Sequence, residues 1–572
     1  MDTLDREIQT PNSGRKQGGL DREIQTPNSG RKQGGWITFP FIIGALAGLT
    51  LAAGGWMSNL IVYLIQVFNL KSIDAAQVSN IVNGGSSLFP IVGAIIADSC
   101  LGCFAVISIF SSISLLGTGF LALTATVNSL RPQLCIDGSS FCKAPSKVQF
   151  LVLYAGIALA SIGQGGTRFT LATMGANQFR KPQQQGIFFN WYFFTLYTAS
   201  VVSSTAIVYI EDNLSWGLGF GICVAVNFIG LAIFLLGNWF YLHDKPLGSP
   251  FMNIARVMVA AFKKRNLPLS PLSEDYYDEH NQAMTLEAAG PTNSFRFLNR
   301  ASLKAEGDIG SDGSIAKPWS LCTVQLVEDL KTLIRIFPLW SSSIFLSTPI
   351  GIQLSLTILQ ALSMDRHLGQ HFKIPAGSMI VIVLISTSIF LTLIDRFFCP
   401  MWQKLIGNSP SALQRIGIGH VLNMLGMAAS ALVESKRLKM VHAYHLQSQP
   451  TSVLPMSALW LFPQLVLVGI GEAFHFPGQV ALYYQEFPAS LRSTATAMIA
   501  MIIGIGFYLS TAIIDFLRRV TSWLPDNINN GRLDHVYWAS TVVALVNFGY
   551  YLACAMLYTY QNVGKEVADS SG

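Results

Sequence analysis

Long runs of apolar residues dominate the sequence from Trp36 to about residue 560. Each run is roughly 19 residues or longer, the length that an α-helix needs to cross the hydrocarbon core of a bilayer. The runs form two groups of six, separated by a polar stretch. We therefore predict an all-α membrane protein with twelve transmembrane helices in two six-helix bundles. The predicted spans cover residues 37–68, 79–97, 104–127, 148–173, 188–210, 216–241, 336–362, 376–398, 411–434, 457–484, 493–517 and 537–560.

The polar segments outside these runs divide the chain. The sequence LDREIQTPNSGRKQGG occupies residues 4–19 and again 20–35, and such a Gly-, Asn- and charge-rich repeat cannot bury a core. The length and composition of the central polar stretch indicate a linker with one or two amphipathic helices. The predicted organisation is a disordered cytoplasmic tail at 1–35, a first bundle at 36–241, a cytoplasmic linker at 242–335, a second bundle at 336–561 and a cytoplasmic tail at 562–572.

Composition excludes several classes of protein. Hydrophobic residues make up 51% of the 572 residues and charged residues only 12%, about half the charged share of a soluble domain, which is roughly 25%. Basic residues are scattered between the spans, so nucleic-acid binding is not expected. The eight cysteines show no metal-binding spacing, and no metal or cofactor is predicted. Cys135 and Cys142 lie in one polar segment between spans. Both a disulfide between them and a pair of free, unreactive thiols are consistent with the sequence.

The charges of the loops predict the orientation. Basic residues are enriched in cytoplasmic loops of membrane proteins. Arg180 follows the fourth span, Lys263 the sixth, Arg396 the eighth and Arg492 the tenth. All of these face the cytoplasm if both termini are cytoplasmic. The bilayer is the expected partner throughout.

A six-plus-six array with a long central linker is the layout of the major facilitator superfamily, in which two bundles enclose a cavity near the midplane and rock about it. Five motifs are similar to the plant nitrate/peptide transporter family, a branch of the proton-coupled oligopeptide transporters. They are GAIIADSCLG at 93–102, IGQGGTRFTLATMGANQF at 162–179, FFNWYFFTLYTAS at 188–200, VEDLKTLIRIFPLW at 327–340 and GIGEAFHFPGQ at 469–479.

The sequence departs from this family at the positions that are associated with proton coupling. The family usually carries Glu-x-x-Glu-Arg/Lys in its first helix, and Leu46, Leu49 and Thr50 occupy those positions here. Its usual tenth-helix carboxylate corresponds to Ala481, and its fourth-helix Lys to Arg168. The predicted seventh helix has no histidine such as proton-coupled nitrate carriers can use. These losses resemble the nitrate excretion subgroup of the family.

The chemistry of an unpaired arginine favours an anionic substrate. Arg168 cannot be deprotonated in a working pH range, and a lone charge inside a membrane protein is costly. Glu472, the best carboxylate left within the spans, lies about 13 Å further along its helix than the position of Ala481. A planar oxyanion satisfies a guanidinium with two parallel hydrogen bonds. We therefore expect nitrate as the substrate, with chloride as a spherical competitor.

Without a proton, the anion follows its electrochemical gradient. A negative-inside potential contributes about 2.3 kcal/mol per 100 mV for each charge, so we expect passive, low-affinity efflux by alternating access. A proton-coupled symporter of peptides, glucosinolates or other organic solutes is the alternative. An enzyme is not expected, because no nucleophile–base pair is found. Plasma membrane is the expected location, from the resemblance.

The candidate site residues are polar or aromatic side chains on predicted inner helices. For the substrate they are Arg168, Asn59, Tyr63, Tyr197, Trp340, Gln360 and Glu472. For gating at the cytoplasmic face they are Asp98 and Arg492.

Overall fold

The computed structural model describes residues 33–133, 145–179, 181–243, 250–278, 291–310, 314–449, 452–487 and 494–559. The described chain is mostly helical. Its α-helices are α1 Phe39–Ser58, α2 Leu60–Gln66, α3 Ser72–Ile96, α4 Gly102–Thr126, α5 Lys147–Asn177, α6 Pro182–Val202, α7 Val208–Asn213, α8 Trp216–Leu236, α9 Pro250–Lys263, α10 Val324–Ser363, α11 Ile380–Leu393, α12 Cys399–Ile406, α13 Ala412–Ala443, α14 Phe462–Glu486, α15 Thr494–Val520 and α16 Leu533–Leu557. Four short strands are β1 Met364–Asp365, β2 His367–Leu368, β3 Phe372–Lys373 and β4 Leu454–Ser457.

The membrane crossings agree with the hydropathy pattern. Eleven helical stretches of the described chain are long and apolar enough to cross a bilayer. One of them, Ser72–Thr126, contains both α3 and α4, which are separated at Gly102, where φ is 77°. Only glycine adopts such a left-handed conformation without cost. The prediction of twelve transmembrane helices is therefore confirmed.

The helices pack as two groups. In the first, α4 packs against α5 and α8, and α1 packs against α6 and α8. In the second, α13 packs against α14 and α16, α10 against α15, and α11 against α14. Between the groups the principal contact is that of α3 with α15. Large apolar side chains such as Leu116, Phe228 and Leu545 are exposed on the outer surface, as a protein solvated by lipid tails requires.

Local sequence explains where several helices begin and bend. Ser146 and Ser411 each cap the start of a long helix, and a glutamine three residues later completes the capping box. Asn59 interrupts the first span between α1 and α2, with φ −107° and ψ 8°. Gly48 of α1 lies against the backbone of α8, where a Cβ atom would stand 2.8 Å from the Cα of Gly230. Such close approach is typical of small residues between membrane helices.

Two helices extend beyond their apolar runs. The seventh span begins at Val324, well before residue 336, and the ninth continues to Ala443, well beyond residue 434. Hydropathy does not detect these ends because they are polar. In α13 the extension includes Arg437, whose guanidinium forms a fully buried ion pair with Glu434, 2.7 Å apart.

The linker folds against the N-terminal end of α10. Val257 and Ala261 of α9 join Leu298, Val327 and others in one buried apolar cluster. Beside it, Lys264 forms an ion pair of 2.7 Å with Asp308, and both side chains are almost completely buried. The predicted amphipathic helix is therefore α9, and it packs on the second bundle through α10.

Candidate functional site

Helices α1, α5 and α6 enclose a cavity of about 150 Å³ inside the first bundle. We call it the Arg168 cavity, because Arg168 of α5 lines it and more than a third of the residue's surface is accessible. The hydroxyl group of Tyr192 on α6 donates a hydrogen bond of 3.1 Å to the backbone carbonyl of Arg168. This contact holds α5 and α6 together at the level of the Arg168 backbone.

Glycines place α5 so that Arg168 faces the cavity. A Cβ atom at Gly163 would stand 2.2 Å from the backbone nitrogen of Ser114, and one at Gly166 would stand 2.1 Å from the ring of Phe110. No side chain fits at these distances, so α5 lies directly against α4 on this face. Arg168 lies off that contact and is accessible from the cavity. The glycine cluster therefore serves helix packing.

The wall opposite Arg168 is largely apolar. Leu46, Leu49 and Thr50, the residues that replace the family's first-helix carboxylates and base, all line the Arg168 cavity. Leu46 and Leu49 are buried, and Thr50 is half-buried. In place of titratable groups, α1 therefore contributes two apolar side chains and one hydroxyl.

Arg168 has no ionic partner within the described chain. Among the described residues, no carboxylate lies within ion-pair distance of its guanidinium, and no acceptor takes a hydrogen bond from it. The side-chain oxygen of Gln164, one turn earlier on α5 and also in the lining, is likewise without a partner there. The cavity thus has one uncompensated positive charge beside an amide and a hydroxyl.

Tyr197 and Glu472 are not among the residues that line the Arg168 cavity. The hydroxyl group of Tyr197 on α6 is within electrostatic range of both Arg168 and Glu472. Glu472 is half-buried and adjoins Thr387 of α11. Within the described chain, Arg168 and Glu472 do not form an ion pair.

The other predicted substrate residues are held by hydrogen bonds away from the Arg168 cavity. Asn59 donates to Glu211 (3.2 Å), and the hydroxyl group of Tyr63 lies 2.8 Å from that of Thr124. These four side chains are buried near the end of the first span. They remain candidates for the path, but in this conformation they stabilise the protein interior.

Gln360 and Trp340 also have protein partners. Gln360 donates a hydrogen bond of 2.6 Å to Glu434, and its oxygen accepts one of 3.1 Å from Tyr537. The indole nitrogen of Trp340 donates to the carbonyl of Met498, 3.1 Å away. Sequence reasoning could not pair these residues, because their partners lie between 74 and 177 residues away along the chain.

Two clamps built from ion pairs hold the bundles together at the end that the loop charges predict to face outward, which we call the outer end. In the first clamp, Arg518 at the end of α15 binds both Asp74 of α3 and Asp526. Lys71 also binds Asp526, with 2.7 Å between Nζ and Oδ2. The four side chains join the start of α3 in the first bundle to the end of α15 in the second.

The second clamp pairs Arg366, after α10, with Asp212 of α7 at 3.3 Å, and both side chains are only 8% exposed. Deeper on the same side, the amide of Asn80 donates to the hydroxyl of Ser355 at 3.3 Å. Within the described ranges, every side-chain hydrogen bond or ion pair between the bundles lies in this outer half. The outer end of the path is therefore closed.

Some predicted residues take no part in these two clamps. Asp98 lies in a π-helical turn after α3 and is half-buried. Arg492, the other predicted gating residue, lies outside the described residues, as do Cys135 and Cys142. Sequence reasoning also missed Gln164 and Tyr192, which line the cavity with Arg168. The four-residue spacing of Gln164 and Arg168 on one helix was the available signal.

The comparisons with known proteins agree with the fold. Residues 104–530 match the model of the POT family, PTR2. The chain is similar to "Protein NRT1/ PTR FAMILY 2.7" of Arabidopsis thaliana, with 56% identity over 92% of this chain and 93% of the relative. It is also similar to "Protein NRT1/ PTR FAMILY 2.6" of the same plant, with 55% identity over the same shares.

Solved structures show the same fold at low sequence identity. An auto-inhibited POT family peptide transporter superposes with a TM-score of 0.66 at 17% identity, covering 92% of this chain and 98% of the other. The POT family transporter PepTSo gives a TM-score of 0.66 at 16% identity, covering 92% and 99%. Both support the two-bundle architecture. The chain therefore belongs to the POT family, whose members are membrane transporters and not enzymes.

Proposed function

We propose that this protein carries a small inorganic anion, nitrate with chloride as competitor, by alternating access across the plasma membrane. The transport is passive, of low affinity and directed outward, and no proton is coupled to it. The single observation that carries the proposal is the uncompensated guanidinium of Arg168 in a cavity of the first bundle.

Arg168 is partly accessible, and its guanidinium is a fixed positive charge in a cavity with largely apolar walls. Such a cleft concentrates ions of the opposite sign. Because the described part of the chain provides no carboxylate partner for Arg168, the guanidinium is available to a bound anion. Nitrate can accept two parallel N–H···O hydrogen bonds from the planar guanidinium, whereas chloride is spherical and offers no pair of acceptor atoms. The amide of Gln164 and the hydroxyl of Thr50 add donors in the same lining.

The apolar wall of α1 supports uncoupled transport. A proton-coupled carrier needs a group that binds and releases protons in the working pH range. Leu46 and Leu49 have no such group, and both face the Arg168 cavity. The anion then moves with its own gradient, and a membrane potential of 100 mV contributes about 2.3 kcal/mol per charge toward export. That exceeds the roughly 1.4 kcal/mol of a tenfold opposing concentration ratio.

The decisive test is anion flux through purified protein in liposomes under an imposed potential. Wild-type protein should carry nitrate in a saturable manner, with a rate that does not follow the external pH. Arg168→Ala should lose most of the nitrate flux. Arg519→Ala is the matched control, because Arg519 is largely exposed at the end of α15 and pairs within its own helix with Asp515. Equal flux through both variants would remove Arg168 from the site.

One observation favours the alternative, a proton-coupled carrier of peptides or other organic solutes. Glu472 is a carboxyl group on α14 beside Thr387 of α11, and Tyr197 of α6 is within its electrostatic range. The names of the structural relatives refer to peptide transport. If this function is correct, Glu472→Gln should abolish the acceleration of uptake by external acid. If the protein is an uncoupled anion carrier, the same variant should leave nitrate flux independent of pH.

A further inference from the structure

A second cavity lies between the bundles, on the outer side of the Arg168 cavity. Its volume is about 90 Å³, well above the roughly 10–15 Å³ that one water molecule requires. Both bundles contribute to its lining, with α1 and α3 on one side and α10, α11 and α14 on the other. We call it the outer cavity, because its lining residues lie on the outer halves of these helices.

The outer cavity is polar but contains no charge. Hydroxyl and amide groups account for its polar lining, and no titratable side chain is among the residues around it in the described chain. The polar residues are Ser58, Ser79, Asn80, Asn83, Ser355 and Thr357. The Arg168 cavity, in contrast, has a fixed positive charge.

Two hydrogen-bond donors in the outer cavity are unused. The amide of Asn80 donates one N–H to the hydroxyl of Ser355, so its second N–H has no acceptor among the described residues. The hydroxyl of Ser79 accepts from the amide of Asn83 at 3.4 Å, and no described acceptor takes its own proton. Both groups are almost completely buried, with 1% and 6% exposed. Each group has one protein partner and a further donor hydrogen, so each can also donate to a species bound in the cavity.

Met57 connects the two cavities. It appears in the lining of both, so the two cavities adjoin at this side chain. Thr50 in the Arg168 cavity and Met57 are seven residues apart, about 10 Å along the helix at 1.5 Å per residue. The two cavities therefore lie in sequence along the axis of the path, below the outer clamps.

We propose that the outer cavity is a second, electrically neutral station for the transported anion, with Asn80 and Ser79 as its donors. The proposal rests on the function proposed above. An anion that leaves Arg168 during export reaches amide and hydroxyl donors before the clamps open. Neutral donors replace part of its hydration shell without holding it as a cation does. A path must bind an ion well enough to admit it and weakly enough to release it.

The two stations should discriminate anions differently. The guanidinium of Arg168 matches a planar oxyanion, whereas the amide and hydroxyl donors of the outer cavity have no fixed fork geometry. Asn80→Leu should therefore lower nitrate and chloride flux by the same factor, on the order of tenfold for the loss of one hydrogen bond to a charged ligand. Arg168→Lys should lower the ratio of nitrate to chloride flux.

The experiment measures both fluxes in liposomes containing the purified full-length chain. Asn80→Asp is a nearly isosteric second variant, which places a negative charge in the station and should reduce both fluxes further than Asn80→Leu does. Asn213→Asp makes the same substitution at an exposed position at the end of α7, and it should leave both fluxes unchanged. Ser355→Ala removes the hydrogen bond between the bundles but keeps the amide of Asn80, and it should lower both fluxes less than Asn80→Leu does.

The possible outcomes separate the two proposals. Asn80→Leu with wild-type flux, while Arg168→Ala has lost it, overturns the second station alone. Ser355→Ala that reproduces the Asn80→Leu defect also overturns it, since Asn80 would then act by joining the bundles. A wild-type protein that carries neither anion refutes both proposals.

Discussion

The clamp between Arg366 and Asp212 provides a direct test of how the outer end is held closed. The two charges are 3.3 Å apart and almost buried, so their Coulomb attraction is about 5 kcal/mol at an effective dielectric constant of 20. Opening the outer end lets water solvate both groups, which offsets much of this attraction. A net contribution of about 2 kcal/mol to the closed state is therefore expected, equivalent to a shift of about thirtyfold in the population of the open state.

The assay follows access to the outer cavity from outside. Ser79→Cys is introduced after the eight native cysteines are replaced by serine, and a membrane-impermeant thiol reagent is added to right-side-out vesicles. Asp212→Asn should raise the labelling rate by about thirtyfold, and Arg366→Gln should do the same. The double variant should react no faster than either single variant, because the same ion pair is lost in all three.

A matched control pair is available in the same protein. Arg519 and Asp515 form an ion pair of 2.8 Å within α15, with side chains 76% and 45% exposed. Exposed pairs of this kind contribute little, so Asp515→Asn should not change the labelling rate. If Asp212→Asn also leaves the rate within a factor of two of wild type, the clamp does not hold the outer end closed. The same conclusion follows if the effects of Asp212→Asn and Arg366→Gln simply add.

Three further predictions concern stability. Arg437→Met should lower the free energy of unfolding by about 3–5 kcal/mol, because it leaves Glu434 charged and unpaired in the interior. Adding Glu434→Gln should restore most of this loss, and thermal unfolding in detergent measures both variants. Gly163→Ala should cost about 1–3 kcal/mol by forcing α5 away from α4, and an unchanged melting temperature would contradict the packing described. Hydrogen bonds from His367 lower the pKa of Asp365. The stabilisation that Asp365 gives to the β2–β3 hairpin should therefore be complete above the ordinary aspartate pKa of about 3.9 and disappear as the pH falls through the lowered pKa. Hydrogen exchange of the hairpin measures this loss.

Hydropathy was sufficient to predict the architecture. A bilayer requires long apolar helices, so the runs in the sequence located all twelve crossings. The ends of α10 and α13 could not be predicted in the same way, because Val324–Arg335 and the last turns of α13 are polar and stand outside the apolar pattern. Such segments become helical through packing, as when Val327 joins the linker cluster.

The candidate site was predictable only in part. A charged residue in an apolar span is rare enough to indicate a function by itself, and this signal identified Arg168. Asn59, Tyr63 and Gln360 are uncharged polar residues, which serve either a pathway or an interior network. Only the fold shows that Glu211, Thr124 and Glu434 hold them. The inter-bundle clamps depend on residues up to 444 positions apart, a distance over which one sequence contains no pairing information.

The length of α10 has a mechanical consequence. Its 40 residues correspond to about 60 Å at 1.5 Å per residue, and the folded linker packs on its inner end while Arg366 follows its outer end. A tilt of one degree about its midpoint moves each end by about 0.5 Å in opposite directions. A tilt that separates Arg366 from Asp212 therefore also displaces the linker. A fluorophore on α9 would report the state of the outer clamp from the opposite face of the membrane.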